Sequence, residues 1–392
     1  MAGGWFQRAQ RLLAEEPEGP EHGFLAWAAT MFALRTGDHD GALQAARRAF
    51  DLGRRLGVPD LQALGLVFQG YILVREGKVD EGLLLIDEGM AWALDGQLAP
   101  TSSAVIFCRT IDTCYELGDY RRASEWMDAI ADCFARMGIE AFPGDCEAHS
   151  VGILIGRGAW SEGELRARRA CAAMEPMDLT HVGLALAEIG EIRWRRGDLA
   201  GAEEAFTRAG QLGSTSHPGM ALVRLAQGDV RGAAASIAVA LADETWDCLA
   251  RARLLPPRVE IALADGDGET ARAAAAELAE IATRYARPAL AAAAECAQAA
   301  VLLAEGDPAM AAASLRRGIA LWREAGAPYE TARARLLLGE ALEQHGDRNH
   351  ALVELDAARA AFESLGAKLD LQRATWLVGS AFHEVGSGRS TE

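Results

Sequence analysis

Gly197-Asp198-Leu199-Ala200-Gly201-Ala202 ends one run of helical periodicity and opens another. Glycine takes the left-handed backbone conformation that stops a helix, and aspartate accepts the free N–H groups that begin the next. Ala202 stands five residues past the glycine and Ala209 stands twelve past it. Seven residues are two turns on one helical face, and small side chains there let a second helix approach closely.

Outward from this stretch the same punctuation recurs, at Gly37-Asp38, Gly77-Lys78, Gly118-Asp119, Gly158-Ala159, Gly228-Asp229, Gly266-Asp267, Gly306-Asp307 and Gly346-Asp347. Successive separations along the chain are 40, 41, 40, 39, 31, 38, 40 and 40 residues. The fifth position after the glycine is always small: Ala42, Gly82, Ala123, Gly163, Ala202, Ala233, Ala271, Ala311 and Ala351. The twelfth is Ala49, Gly89, Ala170, Ala209, Ala240, Gly318 or Ala358, with Ile130 and Leu278 as exceptions. A weaker column lies seven residues before the turn, at Thr30, Gly70, Gly190, Ala221, Ala299 and Gly339; Ile111, Val151 and Val259 break it. The repeat predicts helix pairs joined by tight turns, each pair unable to bury its apolar face alone.

Composition agrees. At 392 residues, half of them apolar, the chain exceeds one ordinary core, and its wealth of Ala and Leu favours helix. Thirty-nine basic against 56 acidic residues give a net charge of −17, which repels phosphate backbones and argues against direct nucleic-acid binding. The basic groups Arg166, Arg168, Arg169 and Arg193, Arg195, Arg196 stand beside acidic residues and are expected on solvated faces. Seven scattered cysteines without a CxxC suit small buried positions in a reducing cytoplasm. The start of the chain lacks a signal-peptide pattern. The longest apolar stretch, Pro288 to Ala304, is short and interrupted by Glu295 and Gln298, so no membrane span is expected.

Catalytic signals are weak. Gly77-Lys78-Val79 lacks the glycine spacing and hydroxyl of a phosphate loop. Asp265-Gly266-Asp267-Gly268-Glu269 lacks calcium-ligand spacing and falls on a repeat turn. The eight histidines show no i, i+4 pair for zinc. Cys146 and His149 could share a helix face near its start, where the macrodipole lowers a thiol pKa, but a packed position is the stronger reading. No enzyme, metal or cofactor is expected.

The turn and its small columns resemble the tetratricopeptide repeat, over residues 21 to 384. The resemblance implies an all-α, right-handed superhelical solenoid of about nine antiparallel helix pairs. It departs from the family in period, about 40 residues rather than 34, and in proline placement. Pro59, Pro100, Pro143, Pro218, Pro288 and Pro328 open the next pair instead of closing a repeat, and the helices should run to about 15 to 18 residues. The division expected is an N-terminal capping helix in 1–20, sub-arrays at 21–213 and 214–385 with a C-terminal cap, and a disordered tail at 386–392. The short 31-residue interval near His217-Pro218-Gly219 marks a clipped pair and a change of curvature at that boundary. In such arrays the first helix of each pair lines a concave groove. Carried onto this chain, the groove positions are Trp27 and Arg35, Tyr71 and Arg75, Cys108, Asp112 and Tyr115, then Glu191, Trp194 and Arg195. Aromatic and Arg side chains are the usual anchors of recognition surfaces, and the N-terminal half is richer in them.

Three segments carry a narrower likeness: Trp322 to Arg333 (WREAGAPYETAR), Phe362 to Ala367 (FESLGA) and Trp194 to Ala202 (WRRGDLAGA). They resemble the helical-repeat region of MalT-like LuxR-type bacterial regulators, a region also joined to class III nucleotidyl cyclases. The resemblance implies a module that senses an inducer or regulatory protein between an ATPase switch and an output domain. This sequence carries no ATPase motif, and nothing after Phe382 would form a DNA-binding domain, so a sensor portion alone or a free-standing derivative is expected. The alternative is a free-standing adaptor that holds a peptide or helix of a partner protein.

Overall fold

A computed structural model describes residues 2–137, 144–175, 179–244 and 247–387. Among them stand twenty helices and no strand. α1 (Ala2–Leu13) precedes nine pairs. The first four are α2 (Pro20–Arg35) with α3 (His39–Leu56), α4 (Pro59–Arg75) with α5 (Val79–Leu94), α6 (Pro100–Glu116) with α7 (Tyr120–Met137), and α8 (Gly144–Gly156) with α9 (Trp160–Met174). Next come α10 (Leu179–Arg195) with α11 (Leu199–Gln211), α12 (Gly219–Ala226) with α13 (Val230–Asp243), and α14 (Cys248–Ala264) with α15 (Gly268–Tyr285). The last are α16 (Pro288–Ala304) with α17 (Pro308–Ala325) and α18 (Pro328–Gln344) with α19 (Arg348–Leu365), followed by α20 (Lys368–Ser387). The fold is an all-α array of tetratricopeptide-like helix pairs. From residue 388 the tail expected to be disordered lies outside the described residues, as does Pro143.

The turn works as its residues dictate. Gly37 has φ 74°, and the other eight turn glycines share that left-handed region. The N–H groups of Gly37 and Asp38 donate back to the carbonyls of Leu34 and Ala33, closing α2. Asp38 Oδ1 then accepts from the Gly41 N–H at 2.9 Å, opening α3. Asp119, Asp198, Asp229, Asp267, Asp307 and Asp347 accept from the third residue on in the same way. Lys78 and Ala159 lack a capping oxygen, and those two turns rest on the backbone alone.

Every alanine in the five-past column has zero exposure. Gly70 and Gly82 bring α4 and α5 together most closely: a Cβ on Gly70 would lie 2.4 Å from the Gly82 carbonyl oxygen, and one on Gly82 would lie 2.5 Å from that of Gly70. Most of the paired helices run to the expected 15 to 18 residues; α8 and α11 have 13, α13 has 14, and α12, in the short interval, has only 8. Proline opens α4, α6, α16 and α18, where its missing N–H costs no helical hydrogen bond. Among the described residues no helix is long and apolar enough to cross a membrane.

By contact density the chain falls into two units, Met1–Cys114 with Glu125–Cys146, and Tyr115–Ser124 with Glu147–Glu392. The clipped pair lies inside the second. There the stacking is not confined to neighbours. One core holds Val151, Ile155 and Trp160 from α8 and α9 together with Tyr329, Phe362 and Leu377 from α18, α19 and α20. Trp160 is 1% exposed, its indole N–H donates to the Ile155 carbonyl at 3.1 Å, and its ring meets Tyr329 edge-on at 5.4 Å. Tyr329 in turn meets Phe362 at 6.1 Å. A repeat array with contacts only between adjacent pairs does not describe this unit; aromatic residues join pairs far apart in sequence.

Candidate partner-binding surface

In the first unit, three consecutive first-of-pair helices place their side chains together. Tyr71 of α4 is 7% exposed and lies between two guanidinium groups, Arg75 at 4.5 Å and Arg109 of α6 at 4.4 Å from the ring centroid. Arg109 also stands 5.7 Å from the Phe68 ring, and Phe68 meets Trp27 of α2 edge-on at 6.3 Å. Asp112 sits one turn on from Arg109, with 3.4 Å between carboxylate and guanidinium. The cluster thus holds two cations, one carboxylate and three rings. Its hydrogen-bonding capacity is not fully used: Trp27 Nε1 and Arg109 Nε are buried and have no hydrogen-bond partner among the described residues. A π-face attracts cations, and a buried donor without an acceptor costs free energy until something supplies one.

Trp27, Tyr71, Arg75 and Asp112 therefore come together, and Cys108 lies on the same helix as Asp112. Arg35, in the last turn of α2, is exposed and apart from them. Phe68 and Arg109, which tie the group together, were missed by the sequence reading. Both stand nine residues before their turns, one step from the place that Trp27 and Cys108 occupy ten before theirs. A side chain long enough to lean over its neighbour fills the same face.

The second unit gathers the other positions. The Tyr115 hydroxyl accepts a hydrogen bond from Arg253 Nη2 of α14 at 2.8 Å, with the guanidinium 4.6 Å from the ring centroid. Burial pushes that hydroxyl above the ordinary 10.0, against the pull of Arg253, so it stays protonated near neutrality. Gly152 of α8 makes room for the ring, since a Cβ there would lie 2.8 Å from it. On α10, Arg195 is 19% exposed at its side chain and lies between Glu191 at 3.8 Å and Glu330 of α18 at 3.1 Å. It also stands over Trp194 at 5.4 Å and Tyr329 at 4.8 Å. Burial works against its charge, but the Glu330 and Glu191 carboxylates outweigh burial and hold its pKa above the ordinary value. Tyr329 donates to Asp370 of α20 at 3.0 Å, and Arg333 pairs with Glu260 of α14 at 2.8 Å. Burial pushes the Asp370 carboxyl up, against Arg333 and the Tyr329 hydroxyl. Trp194 Nε1 has no hydrogen-bond partner among the described residues.

Arg253, Glu260, Glu330 and Arg333 were also missed. They stand 13, 6, 16 and 13 residues before their turns, on the same helical stripe as the expected positions but in the half of the chain read as poorer in aromatic and Arg anchors. The arginines of the 193–196 group, expected on a solvated face, are used in packing. Arg196 reaches Glu164 of α9 at 2.9 Å, and Arg193 reaches the Gly201 carbonyl at 3.0 Å, because the helix face beside the turn abuts the neighbouring pair.

The arrangement suits binding rather than bond-making. The Arg195 and Arg333 charges are met by carboxylates. Among the described residues no three metal-ligating side chains gather. The side chains of Cys146 and His149 lie outside the described residues.

No protein-family model matches the chain. No curated protein matches it. Solved structures similar to it include the Cut9–Hcn1 hetero-tetramer of the APC/C, at 13% identity and TM-score 0.47, covering 94% of this chain and 80% of the other. A Rap protein complexed with Competence and Sporulation Factor is similar at 11% identity and TM-score 0.40, over 84% of this chain and 87% of the other. A tetratricopeptide repeat protein from Parabacteroides merdae ATCC 43184 is similar at 15% identity and TM-score 0.32, over 82% and 99%. At such distances the helix-pair fold rests on this chain's own turns and columns.

Proposed function

We propose that the chain is a non-catalytic binding scaffold that holds a peptide or helix of a partner protein against α2, α4 and α6. The observation that carries this reading is the Arg75–Tyr71–Arg109 stack with the unsatisfied donors at Trp27 Nε1 and Arg109 Nε beside it. An acceptor-rich segment, offering backbone carbonyls or carboxylates, would satisfy these donors once side-chain shifts uncover them. Native mass spectrometry of the protein purified from its own host tests it. The expected result is a stoichiometric peptide or protein, lost in Arg109→Gln and Trp27→Phe. Retention of the same partner by both variants would reject this surface.

A second reading is a signal-sensing module of a MalT-like LuxR-type regulator. It is favoured by where the resembling segments lie: Tyr329, Glu330 and Arg333 of the Trp322–Arg333 stretch join α18 to α10 and α14. An inducer binding there would act on several pairs at once. Retention of a small molecule whose addition slows hydrogen exchange in α10 and α18 together would support it; a retained protein with no change at α18 would exclude it.

A further inference from the structure

A second, separate surface lies on the exposed face of α3. The helix carries two arginine pairs, Arg47-Arg48 and Arg54-Arg55, seven residues apart. Two helical turns place the pairs on one face, about 10 Å apart. The four arginines line an open surface depression of about 610 Å³ together with Glu18 and Asp51. Four cations face two carboxylates there, in a chain whose net charge is −17.

The structure shows what these arginines hold. The Glu18 carboxylate, from the segment between α1 and α2, is seated across Arg48 and Arg55, at 3.8 Å from the first and 2.8 Å from the second. Arg47 and Arg54 repeat that pair one residue earlier, with the same spacing, on the same depression. Neither makes a hydrogen bond or ion pair among the described residues. The macrodipole accounts for basic residues in the last turn of α3, where Arg54 and Arg55 stand, but not for Arg47 and Arg48 two turns earlier.

We infer that Arg47 and Arg54 form a binding site for an acidic peptide segment of a partner protein, one of whose carboxylates takes the place beside them that Glu18 takes beside Arg48 and Arg55. Guanidinium forks match carboxylates bidentately. The site lies on α3, outside the helices α2, α4 and α6 that carry the surface proposed for the partner above, and does not depend on it.

Fluorescence polarisation of labelled hexaglutamate with the full chain, at low salt, tests the inference. Saturable binding is expected, weakened at least about tenfold in Arg47→Gln/Arg54→Gln. Arg231→Gln/Arg316→Gln, which removes two exposed arginines elsewhere and the same charge, should change affinity less than about twofold. Glutamine keeps the helix propensity of arginine, and circular dichroism checks that both variants fold. Absence of saturable binding, or equal weakening in the two variants, overturns the proposal. So does binding of inorganic tripolyphosphate that displaces hexaglutamate from wild type and from Arg47→Gln/Arg54→Gln alike, since the anion would then be held elsewhere.

Discussion

Tyr71 presents one ring to two guanidinium groups, and removing the ring should cost more than removing its hydroxyl. Each cation–π contact contributes roughly 0.5–2 kcal/mol. Tyr71→Leu should therefore destabilise the first unit by about 1–3 kcal/mol beyond Tyr71→Phe, read as a shift in urea midpoint at unchanged slope. Equal losses in the two variants would mean the stack contributes nothing to stability. At His217 the relevant variable is pH. Burial and the nearby Arg224 hold its imidazole below the ordinary 6.5, with Asp243 opposing them. As pH falls the unfolded chain takes up the proton first, so the stability this ring contributes is complete above about 6.5 and is lost on acidification toward the lowered value. Between pH 7.5 and 5 the melting temperature of the wild type should fall more than that of His217→Gln. At this scale sequence spacing located four of the six residues in the first cluster. Phe68 and Arg109 escaped because they stand one position from the stripe, and only side-chain length brings them onto it.

A helix pair here is set by what its facing surfaces lack. Gly70 and Gly82 meet backbone to backbone, so a methyl group at either presses on a carbonyl that cannot move without shifting its helix. Gly70→Ala should destabilise the α4–α5 pair by about 1–2 kcal/mol. The overpacking cost of about 1–3 kcal/mol exceeds the better helix propensity of alanine, worth roughly 0.5–1 kcal/mol. Thermal unfolding of the variant measures the difference, and a neutral or raised midpoint would show that the helices can part without loss. Elements were the most legible level of the chain. Glycine conformation, aspartate capping and small columns are local chemistry, and local chemistry is written in consecutive residues. The 31-residue interval foretold the shortened α12 for the same reason.

For the second unit as a body, the deciding contacts lie between residues far apart in the chain. Trp160 meets Tyr329, and Arg195 meets Glu330 across 135 residues. Trp160→Ala should cost about 3–5 kcal/mol, as large aromatic truncations in a core do. It should also separate the exchange protection of α9 from that of α19, which the shared core keeps together. Hydrogen exchange read helix by helix checks this, and undiminished joint protection would show that neighbour stacking alone suffices. A period reports what each pair offers its neighbour and carries no record of which distant pair it meets. That is why Trp160, Tyr329 and the carboxylate partners of Arg195 and Arg333 were not legible as a group.

The meeting of Trp160 with Tyr329 also sets an order of events during synthesis. A solenoid held only by adjacent pairs can consolidate as each pair leaves the ribosome. Here Trp160 emerges without Tyr329 against its ring, and that partner follows only after the intervening chain has been made. At the usual 5–20 residues per second that wait is roughly ten to thirty-five seconds. Throughout it the nascent chain carries an apolar surface that its own later residues will cover, the kind of surface that chaperones exist to shield.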